Sequence, residues 1–561
     1  GEVNAKLTLP LRKTVTMDDV GFSGRAVARD IMLPDIIEDV SLDGGMLVID
    51  VERKGLSAAG DVTLNGVATH LKWQEVFESG NAPSSTFELT NNTDDEDRKA
   101  LGLDLSSLVN GPVHSNVMVV GAGPDLLRGK VYVELTNAVL RQDTIGWQKP
   151  AGSRAEARFA LGFEDEGRVR LKEINLVGEE VILNGMVLLS PQGDVLEANL
   201  PQVILGMETE ASFTARRLDN NVLEMHAEGP RFDGRGVLSN VFGGGGAEQP
   251  GEDASAADEV IDKGETDTAL TARFPSVLTH GGVRVQNVDV DLLVINGEAQ
   301  RMVVTGMMGT ENAFSARITP TAEGRRDLAV IASDAGSAFR AVDIYGDMRE
   351  GKLAIVGTFD DLADGAPLNG QLEVMNYRIV DAPTLASLLT VGSLTGFADT
   401  LQGEGIRFVK LDMPFTMTSE RFHVHDARMS GPAFGLTVKG QIDLKDGIMD
   451  LNGTVVPAYT INSILGNVPI LGDIIVGREG EGIFAATYAM RGPTSAPTTT
   501  VNPLAALAPG FLRRLFEFGD TMEPEKEAPS TPPVSAPVSP ASPVSPVSPE
   551  PEEPQVAPSS P

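Results

Sequence analysis

Apolar and polar residues alternate with a period of two over most of the chain, and Gly, Asp and Asn break the alternation at short intervals. A period of two puts successive side chains on opposite faces of a pleated strand, so it predicts half-buried antiparallel strands. In MLVIDV, Leu47, Ile49 and Val51 share one face while Met46, Val48 and Asp50 share the other. The pattern recurs in KVYVEL (Val131, Val133, Leu135), ARFALGF (Phe159, Leu161, Phe163), VILGM (Val203, Leu205, Met207) and VLEMHA (Leu223, Met225, Ala227). It continues in KLAIVGTF (Leu353, Ile355, Phe359), FHV (Phe422, Val424) and GLTVKGQIDL (Leu436, Val438, Ile442, Leu444).

Asn65-Gly66, Asn184-Gly185, Asp233-Gly234, Asn296-Gly297, Asn369-Gly370, Asp446-Gly447 and Asn452-Gly453 are favoured hairpin dipeptides. Strands joined by such turns meander. Some two dozen of them in series make a sheet on the order of 100 Å long, and an open sheet of that size must curl, split or close.

Helical segments are few. Asp381 is an N-cap candidate for PTLASLLTVGSLTGFADTL, with Pro383 in the first turn and Leu385, Leu388 and Leu389 on one face. A shorter helix is expected from Asp334, with Phe339 and Val342 facing inward, and another after the acidic run Asp94 to Asp97, which suits a helix N-terminus.

Two stretches lack apolar periodicity. The Gly-rich, acidic segment from Phe242 to Glu265 reads as a flexible linker. From Glu523 onward the chain is nearly all Pro, Ser, Glu, Ala and Val, which predicts a disordered, polyproline-like tail. The expected organisation is a β block at 1–241, a linker at 242–267, a second β block with capping helices at 268–522, and the tail at 523–561.

The most apolar stretch lies between Pro457 and Phe518, yet Gly466, Pro469 and Gly472 interrupt it. A spanning helix needs roughly 20 predominantly apolar residues. This stretch is therefore expected to close the sheet, with Gly510 to Phe518 as a short amphipathic end that plugs the apolar face or touches a membrane interface.

A net charge of -34 and the absence of any dense Lys/Arg cluster argue against nucleic acid, since neutralising phosphates needs a basic patch. The chain has no cysteine, which excludes disulfides, thiolate metal sites and cysteine nucleophiles together. It begins at Gly1 with no signal peptide or hydrophobic anchor, so an amino-terminal piece is expected to be missing.

No catalytic, cofactor or metal constellation emerges. His423 and His425 share a strand face without a third ligand nearby in sequence. Asp289 and Asp291 resemble the start of a calcium loop, but its glycine and terminal glutamate are missing. GREGEG at 477–482 lacks the order of a dinucleotide fingerprint, and neither GFSGR at 21–25 nor VGSLTG at 391–396 fits a nucleophile elbow. A paired-carboxylate glycosidase stays open, although nothing selects a pair among 79 acids. The chain is expected not to be an enzyme.

The alternating apolar face is what is left. In a compact sandwich two such faces cover each other. In a long curled sheet the inner face instead stays partly open, and an apolar strip of that length would aggregate unless it bound something equally apolar, such as acyl chains.

The second block resembles the AsmA-like C-terminal region of bacterial envelope proteins, near the YhdP and TamB relatives. The resemblance rests on Asp334-Ala335-Gly336, Gly351-Lys352-Leu353, Asp381-Ala382-Pro383, Ser393-Leu394-Thr395-Gly396 and Gly403-Glu404-Gly405-Ile406. It continues through Pro457-Ala458-Tyr459-Thr460-Ile461-Asn462, Val468-Pro469-Ile470-Leu471-Gly472, Gly480-Glu481-Gly482, Val501-Asn502-Pro503-Leu504 and Pro509-Gly510-Phe511-Leu512-Arg513. The first block is similar to the preceding region of the same proteins through Trp73 and Gly146-Trp147-Gln148-Lys149-Pro150-Ala151-Gly152.

The resemblance implies a mainly β fold: a long curled antiparallel sheet, taco-like around a β-groove, with a few short helices. It also implies a periplasmic protein anchored in the inner membrane through an N-terminal segment absent from this chain. It further implies that phospholipid passes along the groove toward the outer membrane, with the C-terminal end as a second membrane contact and no cofactor. The groove candidates are Leu47, Ile49, Val51, Val131, Val133, Leu135, Phe159, Leu161, Val203, Leu205, Leu353, Ile355, Phe422, Val424, Leu436 and Val438. The alternative is a structural or assembly factor for outer-membrane biogenesis that carries no lipid.

Overall fold

A computed structural model describes residues 1–9, 11–12, 20–37, 40–77, 84–122, 125–242, 266–309, 311–380, 405–432, 434–457 and 486–502. Among the described residues the chain is mainly β, and 28 strands form one sheet that does not close into a barrel. The sheet falls within one compact unit, Gly1–Phe518.

Strands pair in chain order, from Glu2–Thr8 against Gly21–Arg29 to Ala486–Pro493 against Thr498–Asn502. Among the described residues one main-sheet step departs from antiparallel: Leu223–Asp233 runs parallel to Thr268–Leu278. The strands before and after the 242–267 segment thus belong to one hydrogen-bonded sheet. A separate three-stranded sheet is built from Val109–Asn110, Val139–Gln142 and Trp147–Lys149.

Helices are short because local signals, not long apolar stripes, set them. Helix α1 (Asp95–Ala100) starts at a capping box in which the Asp94 side chain accepts from the Asp97 N–H at 2.9 Å and Asp97 accepts from the Asp94 N–H at 3.2 Å. Helix α2 (Arg235–Phe242) follows the last strand of the first meander, where a hairpin is expected from Asp233-Gly234. Helix α3 (Ala335–Ala341) is capped by Asp334, whose carboxylate accepts from the Ser337 N–H at 2.9 Å. Its buried side is made of Ala335, Ala338 and Ala341, with Phe339 only partly buried. Small residues let the helix lie close on the sheet; Phe339 packs against the same core as expected, while Val342 is the half-buried C-cap residue.

The two margins of the sheet differ. On one, strands join through tight turns such as 53–54, 190–194, 296–297 and 444–447. On the other sit α1, the three-stranded sheet, α2 and α3, partly tied together: the Asn240 side-chain amide donates to the Asp143 carbonyl at 2.8 Å, and His280 Nε2 lies 3.0 Å from the Arg235 carbonyl.

Turn chemistry holds at Asn65-Gly66, Asn296-Gly297 and Asp446-Gly447. Asn184-Gly185, Asn369-Gly370 and Asn452-Gly453 instead lie inside strands. At Gly185 the reason is close approach at a bulge: φ is 147°, and a Cβ there would lie 2.1 Å from the Asn199 carbonyl oxygen. Met207, expected on a strand, sits exposed in a turn past the end of Val195–Leu205.

The expected helix from Asp381, the 243–265 part of the linker, the Pro/Ser tail, and most of Pro457 to Phe518 lie outside the described residues. Of that last stretch the structure describes the two strands that end the sheet. Among the described residues no helix is long and apolar enough to cross a membrane.

Candidate functional site

Cross-strand partners point to the same side of a sheet, so the registers trace each face from end to end. One ladder runs Val3, Ala26, Ile49, Ala58, Trp73, Phe87, Val119, Gly129, Leu161 and Leu171. It proceeds through Val187, Ala198, Ala215, Met225, Leu270, Leu292, Met302, Ile318 and Leu328. It ends with Gly357, Gly370, Phe415, Val424, Gly440, Leu451, Met490 and Thr499. No charged residue interrupts it, and Thr499 at the last strand is its one polar member.

The groove candidates all join this face. Leu47 and Val51 flank Ile49, Val131 pairs with Phe159, and Leu161 pairs with Gly129. Leu135, one residue past its strand, packs in the cluster that includes Val133 and Ala155. Val203 and Leu205 pair with Leu183 and Val181, Leu353 and Ile355 with Ala332 and Val330, and Leu436 and Val438 with Met429 and Ala427. Phe422 and Val424 face Met417 and Phe415.

The opposite face is a lattice of ion pairs and amide bonds. Arg273 meets Asp289 at 2.7 Å, Arg301 meets Asp291 at 3.0 Å, Lys410 meets Glu373 at 2.6 Å, and Asn184 bridges Asn175 and Gln202 at 2.7 Å each. Asp289 and Asp291 are thereby paired with arginines. His423 and His425 also lie on this face, and His425 Nε2 meets the Thr416 hydroxyl at 2.9 Å. Among the described residues no three His, Asp or Glu side chains converge.

Bulges concentrate in one part of the sheet. Register shifts occur in consecutive strand pairs from Ala155–Phe163 to Leu223–Asp233 and again between Arg284–Ile295 and Glu298–Met308. Bulges bend and twist the strands that carry them, and proline in a strand interior is tolerated mainly there. Pro201, Pro230 and Pro275 all sit along this line and wall an open depression of about 720 Å³, together with apolar Ala211, Phe274 and Val288 and charged Glu210, Glu228, Arg273 and Asp289.

Charged side chains at apolar-face positions include Glu75, Arg217 and Arg326, of which Arg326 is buried. Arg326 lies opposite Phe359, 4.7 Å from its ring centroid, and its guanidinium contacts Asp361, Glu298 and the Ala299 carbonyl. The Asp361 hydrogen bond raises its pKa further above the usual arginine value. Every partner is internal, so Arg326 clamps the hairpin margin.

Compared with family models, curated proteins and solved structures, the chain matches none.

Proposed function

We propose that this chain is a segment of a bridge-like lipid transfer protein of the AsmA-like kind, in which the apolar face shields the acyl chains of phospholipid between inner and outer bacterial membranes. The observation that supports this is the uncharged ladder from Val3 to Met490 on a sheet that is not closed into a barrel. An apolar strip of this length needs an apolar occupant, and acyl chains laid across the strands supply one while head groups stay in water. The chain acts as a surface, with no bond made or broken and no single residue indispensable.

Native mass spectrometry of the gently purified protein, with and without Val187→Asp combined with Leu292→Asp, tests the reading. The wild type is expected to carry phospholipid and the folded double variant to lose it, because a carboxylate in contact with acyl chains is costly to desolvate. Lipid retained by a variant with unchanged circular dichroism sinks the groove assignment. Wild type recovered repeatedly without phospholipid points instead to a structural factor for outer-membrane assembly.

A further inference from the structure

The strand Glu2–Thr8 pairs on one side with Gly21–Arg29, and among the described residues no strand pairs with its other side. All seven of its residues are exposed. Such an edge presents a row of backbone N–H and C=O groups to any extended segment that can lie alongside it. Folds that keep an edge unpaired shorten it, bend it with a bulge, interrupt it with proline or place lysine on it. Glu2–Thr8 runs through seven consecutive pairs with Gly21–Arg29 without a register shift, and it contains no proline. Its one lysine, Lys6, is matched by Glu2 on the same face. At the other end of the sheet, Thr498–Asn502 has five residues and is bracketed by Pro497 and Pro503, so its edge is short and interrupted.

The side chains of Glu2–Thr8 say what could pair there. Val3, Ala5 and Leu7 lie on the apolar face, where Val3 begins the uncharged ladder and Leu7 sits opposite Phe22. Val3, Leu7 and Phe22 keep 75%, 62% and 43% of their surface exposed, so the face is short of a neighbour here. Glu2, Asn4, Lys6 and Thr8 line the other face. Glu2 and Lys6 are placed symmetrically about Asn4. An antiparallel copy of the strand centred on Asn4 therefore sets Glu2 opposite Lys6 twice, Val3 opposite Ala5 twice and Asn4 opposite itself. Opposite charges then face each other directly, and apolar side chains meet apolar side chains.

We propose that Glu2–Thr8 is the interface of a homodimer, in which the strand pairs antiparallel with the same strand of a second copy across a two-fold axis at Asn4. Main-chain hydrogen bonds supply the affinity of such strand addition, and the side-chain pattern supplies its register. The occupant is a second copy because the charge pattern of the strand complements its own reverse. The axis stands perpendicular to the sheet, so the apolar face of one copy runs on into that of the other. Pairing at the edge uses the backbone and neither face, so the dimer does not depend on the lipid-groove reading.

Sedimentation velocity on the full chain, over a range of concentrations up to the solubility limit, tests the interface. The wild type is expected to dimerise reversibly. Glu2→Lys and Lys6→Glu each set like charges opposite one another and should weaken the dimer about tenfold or more. Mixing the two variants puts opposite charges back across the axis and should yield a heterodimer, and a chain carrying both substitutions should dimerise by itself. Recovery in the mixture also shows that each variant folds. A wild type that stays monomeric overturns the interface, as do single variants that dimerise like the wild type. Weakening without recovery in the mixture overturns the pairing about Asn4.

Discussion

The Tyr488 hydroxyl donates to the Thr437 carbonyl at 2.8 Å, reaching across Gly453 on the strand between them. A Cβ on Gly453 would lie 1.8 Å from that carbonyl oxygen and 2.8 Å from the hydroxyl. Glycine therefore provides the gap that the ring spans. Gly453→Ala is expected to lower stability by about 3 kcal/mol, as overpacking of a tight contact does, and Tyr488→Phe by about 1 kcal/mol for one buried hydrogen bond. Urea midpoints measure both. The double variant should lose less than the sum, since the alanine already breaks the hydrogen bond.

Three tyrosines, Tyr377 and Tyr488 fully buried and Tyr345 half-buried, make the fold sensitive to alkali. Burial pushes the hydroxyls of Tyr345, Tyr377 and Tyr488 well above the ordinary tyrosine range. In the unfolded chain a tyrosine ionises near pH 10, while the folded chain keeps these protonated. Their contribution is thus intact below about pH 10 and is lost above it, by about 1.4 kcal/mol per pH unit for each tyrosine. Thermal melts between pH 8 and 11 should fall steeply past about pH 10.

Tyr377 separates two effects within that trio. Its hydroxyl is buried with no hydrogen-bond partner among the described residues. Tyr377→Phe removes an unsatisfied polar atom, so it is expected to gain about 1 kcal/mol at neutral pH and to flatten the alkaline decline. A variant that loses stability at pH 7 would show that the hydroxyl is satisfied in solution.

The strands were legible because a sheet with one apolar and one charged face keeps the period of two undiluted, as Leu47, Ile49 and Asp50 illustrate. What local signals could not settle is where such runs end. Asn369-Gly370 and Asn452-Gly453 favour turns by themselves, but pairing with strands on both sides holds them extended. Helix α2 follows a dipeptide that reads as a hairpin, and the parallel step beside it depends on a pairing of Leu223 with Thr268 that no local pattern encodes.

The same split holds for the groove. Alternation assigns a side chain to a face, so Val131, Val203 and Leu436 could be placed on one surface from sequence. Whether that surface is covered depends on segments that local pattern does not bring together, such as Ala335 and Ala338 of α3, which share a buried cluster with Tyr377 and Phe408. Arg326 escaped notice because a charge opening the run RDLAVIA reads as a strand boundary. Its partners Glu298 and Asp361 lie on other hairpins.

Two arginines differ sharply in what their loss should do. The Arg326 and Asp361 side chains are 7% and 18% exposed, whereas those of Arg273 and Asp289 are 81% and 54% exposed. Removing one partner of a buried pair strands the other charge, so Arg326→Ala is expected to cost about 3–5 kcal/mol. Replacing both, as Arg326→Met with Asp361→Leu, should recover most of that loss, because the apolar face then continues unbroken. Arg273→Ala should leave the urea midpoint where it is, since solvent already screens that pair. An Arg326→Ala protein as stable as the wild type would mean that Asp361 reaches water without its partner, and the clamp at the hairpin margin would have to be abandoned.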